Sequence, residues 1–150
     1  MNALNLPPFE MRLRGDEQHP QIFDVLRRRY VALTPEEWVR QHFVHYLTEH
    51  LGYPATLLAN EVSLPSGDKK LRADTVLYDR SMQPRMIVEY KAPDIRITRR
   101  VFEQISAYNR LLKVPYLVVS NGMEHYCCRY DAAANAYHFL QEIPQFADLL

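Results

Sequence analysis

The sequence predicts an α/β protein of the α+β type, a mixed central β-sheet flanked by helices. Three observations carry that expectation. Apolar residues recur at helical spacing over 35–51 and again after Thr98. Three strand-like segments with short links lie between those helices and favour an antiparallel meander. The run Tyr-Leu-Val-Val at 116–119, reached through the second helix, is continuously apolar, as a strand buried on both faces would be. A right-handed crossover would pair it parallel to one of the meander strands.

The chain has 150 residues, 47% of them hydrophobic and 24% charged, which suits one compact core and excludes disorder, coiled coil and collagen. We expect an N-terminal arm at 1–33 packed on a single domain at 34–150. No stretch approaches the ~20 apolar residues of a membrane span, and the opening MNALNLPPFEMRLR lacks the apolar core of a signal peptide. The expectation is a cytoplasmic protein with no membrane partner. Eighteen basic and eighteen acidic residues give zero net charge, so any polyanion must be held by a local patch. No GxxxxGK[ST] loop is present, which excludes an ATP-driven motor in this chain. The two cysteines, Cys127 and Cys128, are adjacent; in a strand they face opposite ways, so they read as small packing residues rather than a disulfide.

Element by element, Phe9, Met11 and Leu13 alternate with Glu10, Arg12 and Arg14 as in a half-buried strand, inside an otherwise irregular arm. Residues 15–20 read as a turn, and Ile22 and Phe23 open a second apolar segment. Thr34 as N-cap, Pro35 at the first helical position and Glu37 three residues after the cap form a capping-box signature for a helix over 35–51, stopped by Gly52 and Pro54. Strands follow at 56–64, 73–78 and 85–91, separated by Pro65-Ser66-Gly67-Asp68 and Asp79-Arg80-Ser81. Thr98 caps a second helix whose stripe is Val101, Ile105, Tyr108, Leu111 and Leu112. After the strand at 116–119, Asn121-Gly122 signals a hairpin into 125–130, then a strand at 137–140 and a short terminal helix at 146–150.

The residues that carry chemistry are Asp74, Glu89 and Lys91. Glu89 and Lys91 are two apart in a strand and leave the same face, while Asp74 lies on the preceding strand. Facing residues of an antiparallel pair are only ~4.5–5.5 Å apart, so two carboxylates meet with a lysine beside them. Such a pair repels unless a proton or a cation sits between them. A hard divalent ion, Mg²⁺ or Mn²⁺, suits these oxygens, with the backbone carbonyl of Tyr90 as a neutral third ligand. Lys91 would then assist an attacking water and offset transition-state charge.

Asp74 followed by Glu89-Tyr90-Lys91 resembles the PD-(D/E)XK nuclease superfamily, and the element order matches its restriction-endonuclease-like α-β-β-β-α-β core. Gln104 and Tyr108 reproduce the Q-x-x-x-Y spacing of one subset of these nucleases. The runs LTPEEWVRQHFVHYL at 33–47, LRADTVLYD at 71–79 and MIVEYKAP at 86–93 are similar to the N-terminal nuclease domain of type I restriction enzyme R subunits, over about residues 22–131. The resemblance implies a Mg²⁺-dependent DNA phosphodiesterase with Asp74, Glu89, Lys91 and Gln104 catalytic, and protein partners from a restriction–modification complex. Ala73 replaces the superfamily's proline. The first-helix glutamate that often completes the metal site has Glu37, or Gln41 one turn on, as candidates, and Tyr108 would touch a phosphate or pack.

Two basic groups, Lys69, Lys70 and Arg72, and Arg96, Arg99 and Arg100, border these motifs and are expected to hold DNA phosphates without reading sequence. Arg27, Arg28 and Arg29 form a third cluster. His42 and His45 with Glu49 have zinc-like spacing but lack further ligands, and they read as boundary residues. The alternative function is an inactive nuclease-fold module for DNA binding or protein docking.

Overall fold

The computed structural model describes residues 1–149, apart from the side chain of Tyr108. Thr34 caps the first helix, α1 (Pro35–Glu49), its hydroxyl accepting the Glu37 N–H at 3.1 Å. Only half of the capping box forms. The Thr34 N–H donates to Ala32 O, and the Glu37 carboxylate turns away to other partners. The buried stripe Val39, Phe43 and Leu47 lies on one face of a six-stranded sheet.

That sheet runs β4 (Leu58–Ser66), β5 (Lys69–Tyr78), β6 (Pro84–Tyr90), β7 (Tyr116–Ser120), β8 (His125–Asp131) and β9 (Ala136–Leu140), neighbours in space as in sequence. All pairs are antiparallel except β6–β7, which is parallel and bridged by α2 (Arg99–Arg110). The fold class is therefore the mixed α/β arrangement expected, and β7 is buried along its whole length because helices cover both faces. One core joins α1 to Leu77, Met86, Val88 and Val118; the other, on the α2 side, holds Val76, Ile87, Leu117 and Val119.

The arm differs from the irregular segment expected. It forms a separate antiparallel sheet of β1 (Leu13–Arg14), β2 (Gln21–Asp24) and β3 (Arg29–Ala32), with Ile22 and Asp24 buried beneath it. The β2–β3 turn escapes local signals because Arg28 takes the left-handed conformation (φ 55°) that glycine or asparagine usually supplies. The strand expected around Phe9–Leu13 shrinks to β1. The Asn121-Gly122 hairpin closes through four residues, 121–124, rather than two, since the Asn121 side chain accepts the N–H groups of Met123 and Glu124. Gly122 (φ 85°) is packed under Leu4, where a Cβ would stand 2.9 Å from that side chain. The terminal helix is a single 3-10 turn, Phe146–Asp148; Leu150 lies outside the described residues.

Candidate active site

Asp74 sits where the sheet ladder opens on both sides. Toward β4 the register holds at Asn60↔Thr75 and Val62↔Ala73 but skips Glu61, which is left-handed (φ 56°) in mid-strand. The carbonyl of Asp74, relieved of that strand partner, accepts from Arg40 Nη1 at 2.6 Å. Toward β6 the register ends at Thr75↔Val88, one rung before Asp74 would face Glu89. Here Asp74 Oδ2 accepts the Tyr90 N–H at 2.9 Å in place of a main-chain acceptor. The sequence gives no hint of Glu61's conformation, and that conformation opens the rung.

The structure brings Asp74 and Glu89 together, with their side chains within hydrogen-bonding reach. Burial, then the Asp74 charge and the shared hydrogen bond, push the Glu89 carboxyl well above the usual carboxylate range, against a smaller opposing pull from Lys91. Glu89 Oε1 is buried and has no hydrogen-bond partner. Glu89, Lys91, Gln104 and Arg72 line one cleft of about 330 Å³ between the β5–β6 surface and α2. Lys91 is fixed at the end of β6 by its N–H, which donates to Ser120 O at 2.9 Å.

The raised pKa of Glu89 has a testable sign. The native state keeps a proton the unfolded chain has lost, so stability contributed by this group falls as pH rises from about 4.3 toward the folded value. Glu89→Gln is expected to raise the stability of metal-free protein at pH 8 by about 1–3 kcal/mol, with little change near pH 4. Urea midpoints in EDTA at the two pH values check it, and equal pH slopes in both proteins would refute the assignment.

Asp74 itself borders a different cleft of about 450 Å³, with Arg27, Glu37, Arg40, Glu61 and Tyr90. Sequence reading missed Arg40 and Glu61. Arg40 is 6% exposed and reaches Glu37 Oε2 at 3.0 Å, Glu61 through its other end, and the Tyr90 ring. Glu37 is held by Arg27 at 2.7 Å and by Gln41 Nε2 at 2.9 Å. It thus stands beside Asp74's cleft but with both oxygens engaged. Gln41 is fully buried, lines neither cleft, and leaves Oε1 without a partner. Burial pushes the Glu61 and Asp24 carboxyls up, but their arginine partners outweigh it and hold both below the ordinary range. Their contribution to stability is present above pH about 4 and is lost as acid protonates them. A buried chain runs from Asp24 through Asn60 (2.9 Å) and Thr75 (2.6 Å) to the Tyr90 hydroxyl (2.9 Å), tying β2 to β4, β5 and β6 and setting the direction of the Glu89-Tyr90-Lys91 strand end.

Of the basic residues expected to hold phosphates, Arg72 lines the Glu89 cleft and the others lie outside it. Lys69 and Lys70 are exposed at the β4–β5 turn, Arg72 pairs with Glu61, and Arg99 pairs with Glu103 at 3.1 Å. Arg96 and Arg100 are exposed. The side chain of Tyr108, expected to touch a phosphate or pack, lies outside the described residues. Among the described residues, no three His, Cys, Asp or Glu side chains converge. A groove of about 530 Å³ between α2 and β8–β9 is lined by Phe102, Tyr126, Tyr137 and Phe139 and has no part in the carboxylate pair. No described helix is long and apolar enough to cross a membrane.

The class is thus a mixed α+β domain whose sheet opens at Asp74 beside the Glu89-Tyr90-Lys91 strand end. Residues 35–144 match the family model for the type I restriction enzyme R protein N terminus, and the chain belongs to that family. In structure it is similar to a fragment assigned to the HsdR subunit of a type I restriction enzyme from Vibrio vulnificus YJ016, with a TM-score of 0.54 and 19% identity. The likeness covers 78% of this chain and 24% of that one, so the chain spans about a quarter of its relative's length. Comparison with curated proteins gives no significant match.

Proposed function

We propose that this domain hydrolyses DNA phosphodiester bonds with the help of Mg²⁺ or Mn²⁺. The observation that carries the reading is the shared position of Asp74 and Glu89, one buried Glu89 oxygen being without any partner. Those groups fit a hard cation: two carboxyls from adjoining strands, with the Tyr90 carbonyl as the neutral third donor. Bound there, the ion would supply Lewis acidity and a lowered pKa for water. Lys91, in the same cleft as Glu89, would orient the attacking water and offset developing negative charge. Gln104, exposed on α2 at that cleft, would hold the water or the Lys91 ammonium. Arg72 would take a phosphate, with Lys69, Lys70, Arg96, Arg99 and Arg100 as outer contacts. Family membership supports a role within a restriction–modification assembly, beside DNA in the cytoplasm.

A second reading, an inactive nuclease-fold module for DNA binding or docking, draws on Asp74 Oδ2 being occupied by the Tyr90 N–H and on Glu37 being neutralised by arginines. Metal linkage separates the two. At a hundredfold excess over its dissociation constant a bound ion adds about 2.7 kcal/mol, a rise of about 5–10 °C in midpoint for a chain of this size. The enzyme reading expects that rise with Mn²⁺, its loss in Asp74→Asn, and tighter binding as pH increases, because Glu89 must release its proton. No rise, or the same rise in Asp74→Asn, favours the inactive module.

A further inference from the structure

The sheet of the N-terminal arm has a face that the candidate site does not use. Ile22 and Asp24 of β2 point inward and are fully buried, so Phe23 points the other way. Phe23 faces Tyr30 on β3 in the antiparallel register, and its N–H donates to Arg12 O at 2.9 Å, placing Arg12, Phe23 and Tyr30 on one rung across three strands. The guanidinium of Arg12 lies 4.2 Å from the Phe23 ring centre, and that of Arg14 lies 4.0 Å from the Tyr30 ring centre. Arg14 is further steadied by Nε donating to Gln21 at 2.7 Å.

Stacking on an aromatic ring, rather than charge pairing, holds these two arginines. Arg27, Arg40, Arg72 and Arg99 each hold a carboxylate, whereas Arg12 and Arg14 have no ion pair among the described residues. Nearby Asp16 is turned into its own loop, accepting the N–H groups of Gln18 and His19. A guanidinium lying on an aromatic ring keeps its donor edge free while its side chain is held in place. That arrangement suits a phosphate oxygen and costs little further ordering on binding. Arg28 and Arg29 are exposed at the adjoining β2–β3 turn. Val31 and Ala32, which follow Tyr30 on β3, form a wall of the cleft that Asp74 borders, so the arm's sheet adjoins that cleft.

We propose that this face, through Arg12 and Arg14, is a docking surface for the phosphate backbone of duplex DNA. The assignment rests on the reading that DNA is the substrate. It adds a contact surface on a different sheet from the carboxylates. With no element poised to enter a groove, the contacts carry affinity rather than sequence choice.

The test is fluorescence anisotropy of a labelled duplex in EDTA, so that binding is read without cleavage, at several salt concentrations. Each phosphate contact contributes about 0.9 to the slope of log affinity against log salt. The double variant R12Q/R14Q is expected to bind about tenfold or more weakly near 0.1 M salt and to lose about two from that slope. Arg80→Gln, at an exposed turn between β5 and β6, should behave as wild type, and circular dichroism confirms that each variant is folded. Unchanged affinity and slope in the folded double variant, or no binding by the wild type, overturns the proposal. Lys91→Ala keeps the two readings distinguishable. Binding retained with cleavage absent even in the wild type would sink the catalytic reading and leave the surface standing. Cleavage by the wild type with normal binding by R12Q/R14Q would do the reverse.

Discussion

Lys91→Ala is expected to lower Mg²⁺-dependent cleavage of duplex DNA by about 10²–10⁴-fold, the range for losing a group that handles a proton at the reacting centre. The lysine shares its cleft with Glu89 and Gln104, and its main chain is pinned to Ser120, so truncation removes the ammonium without freeing the strand. Its loss should leave the Mn²⁺-induced rise in melting temperature in place, because an ammonium donates and cannot ligate. Asp74→Ala is expected to lose both cleavage and the metal response. Lys91→Arg keeps the charge but cannot give up its proton at ordinary pH. Recovery of activity in that variant would assign Lys91 an electrostatic role, and persistent loss would assign it proton transfer. Cleavage by Lys91→Ala at the wild-type rate would remove Lys91 from the site.

Arg40→Ala is expected to give the largest loss of stability, about 3–5 kcal/mol, as when one partner is taken from a buried charge network. Three groups depend on this side chain: the Asp74 carbonyl, the Glu37 carboxylate and Glu61. Burial would pull the guanidinium's pKa down, but Glu37 and Glu61 overcome it and raise it, so the cation is present at every working pH. Without it, Glu37 retains Arg27 and Gln41, whereas the Asp74 carbonyl loses its donor. The melting midpoint should fall by about 10–15 °C. Acid sensitivity should also shrink, since Glu61 would no longer be held as far below its ordinary range. A fall of only a degree or two would show that the network contributes specificity rather than stability. Because Arg40 braces the strand end that presents Glu89 and Lys91, cleavage should decline at temperatures where the variant is still folded.

Much of the fold was legible in local signals. Thr34, Pro35 and the stripe of Val39, Phe43 and Leu47 mark α1 because capping and helical periodicity are properties of a few neighbouring residues. The unbroken apolar run of β7 marks a strand covered on both faces, and the helix before it implies a parallel pairing, as found between β6 and β7. The spacing of Glu89 and Lys91 likewise fixes their common side, since a strand has period two.

What escaped the sequence depends on contacts between distant segments. The arm's three strands carry weak patterns, and their turn uses an arginine where glycine would have advertised it. The carboxylate of Glu37 looked committed to a capping box, yet Arg27, ten residues earlier in the β2–β3 turn, draws it away with a stronger, charge-assisted hydrogen bond, and Arg40 adds a second cation. By itself the sequence determined where the helices begin, the order of elements along the chain and which side chains share a face, because those follow from propensity and periodicity along the chain. Only the tertiary structure decided that Glu61 leaves the ladder, that Arg40 fills the gap, and that Glu89 is buried beside Asp74 with one oxygen unclaimed. Burial and charge pairing are set by segments far apart in sequence, and no local pattern encodes them.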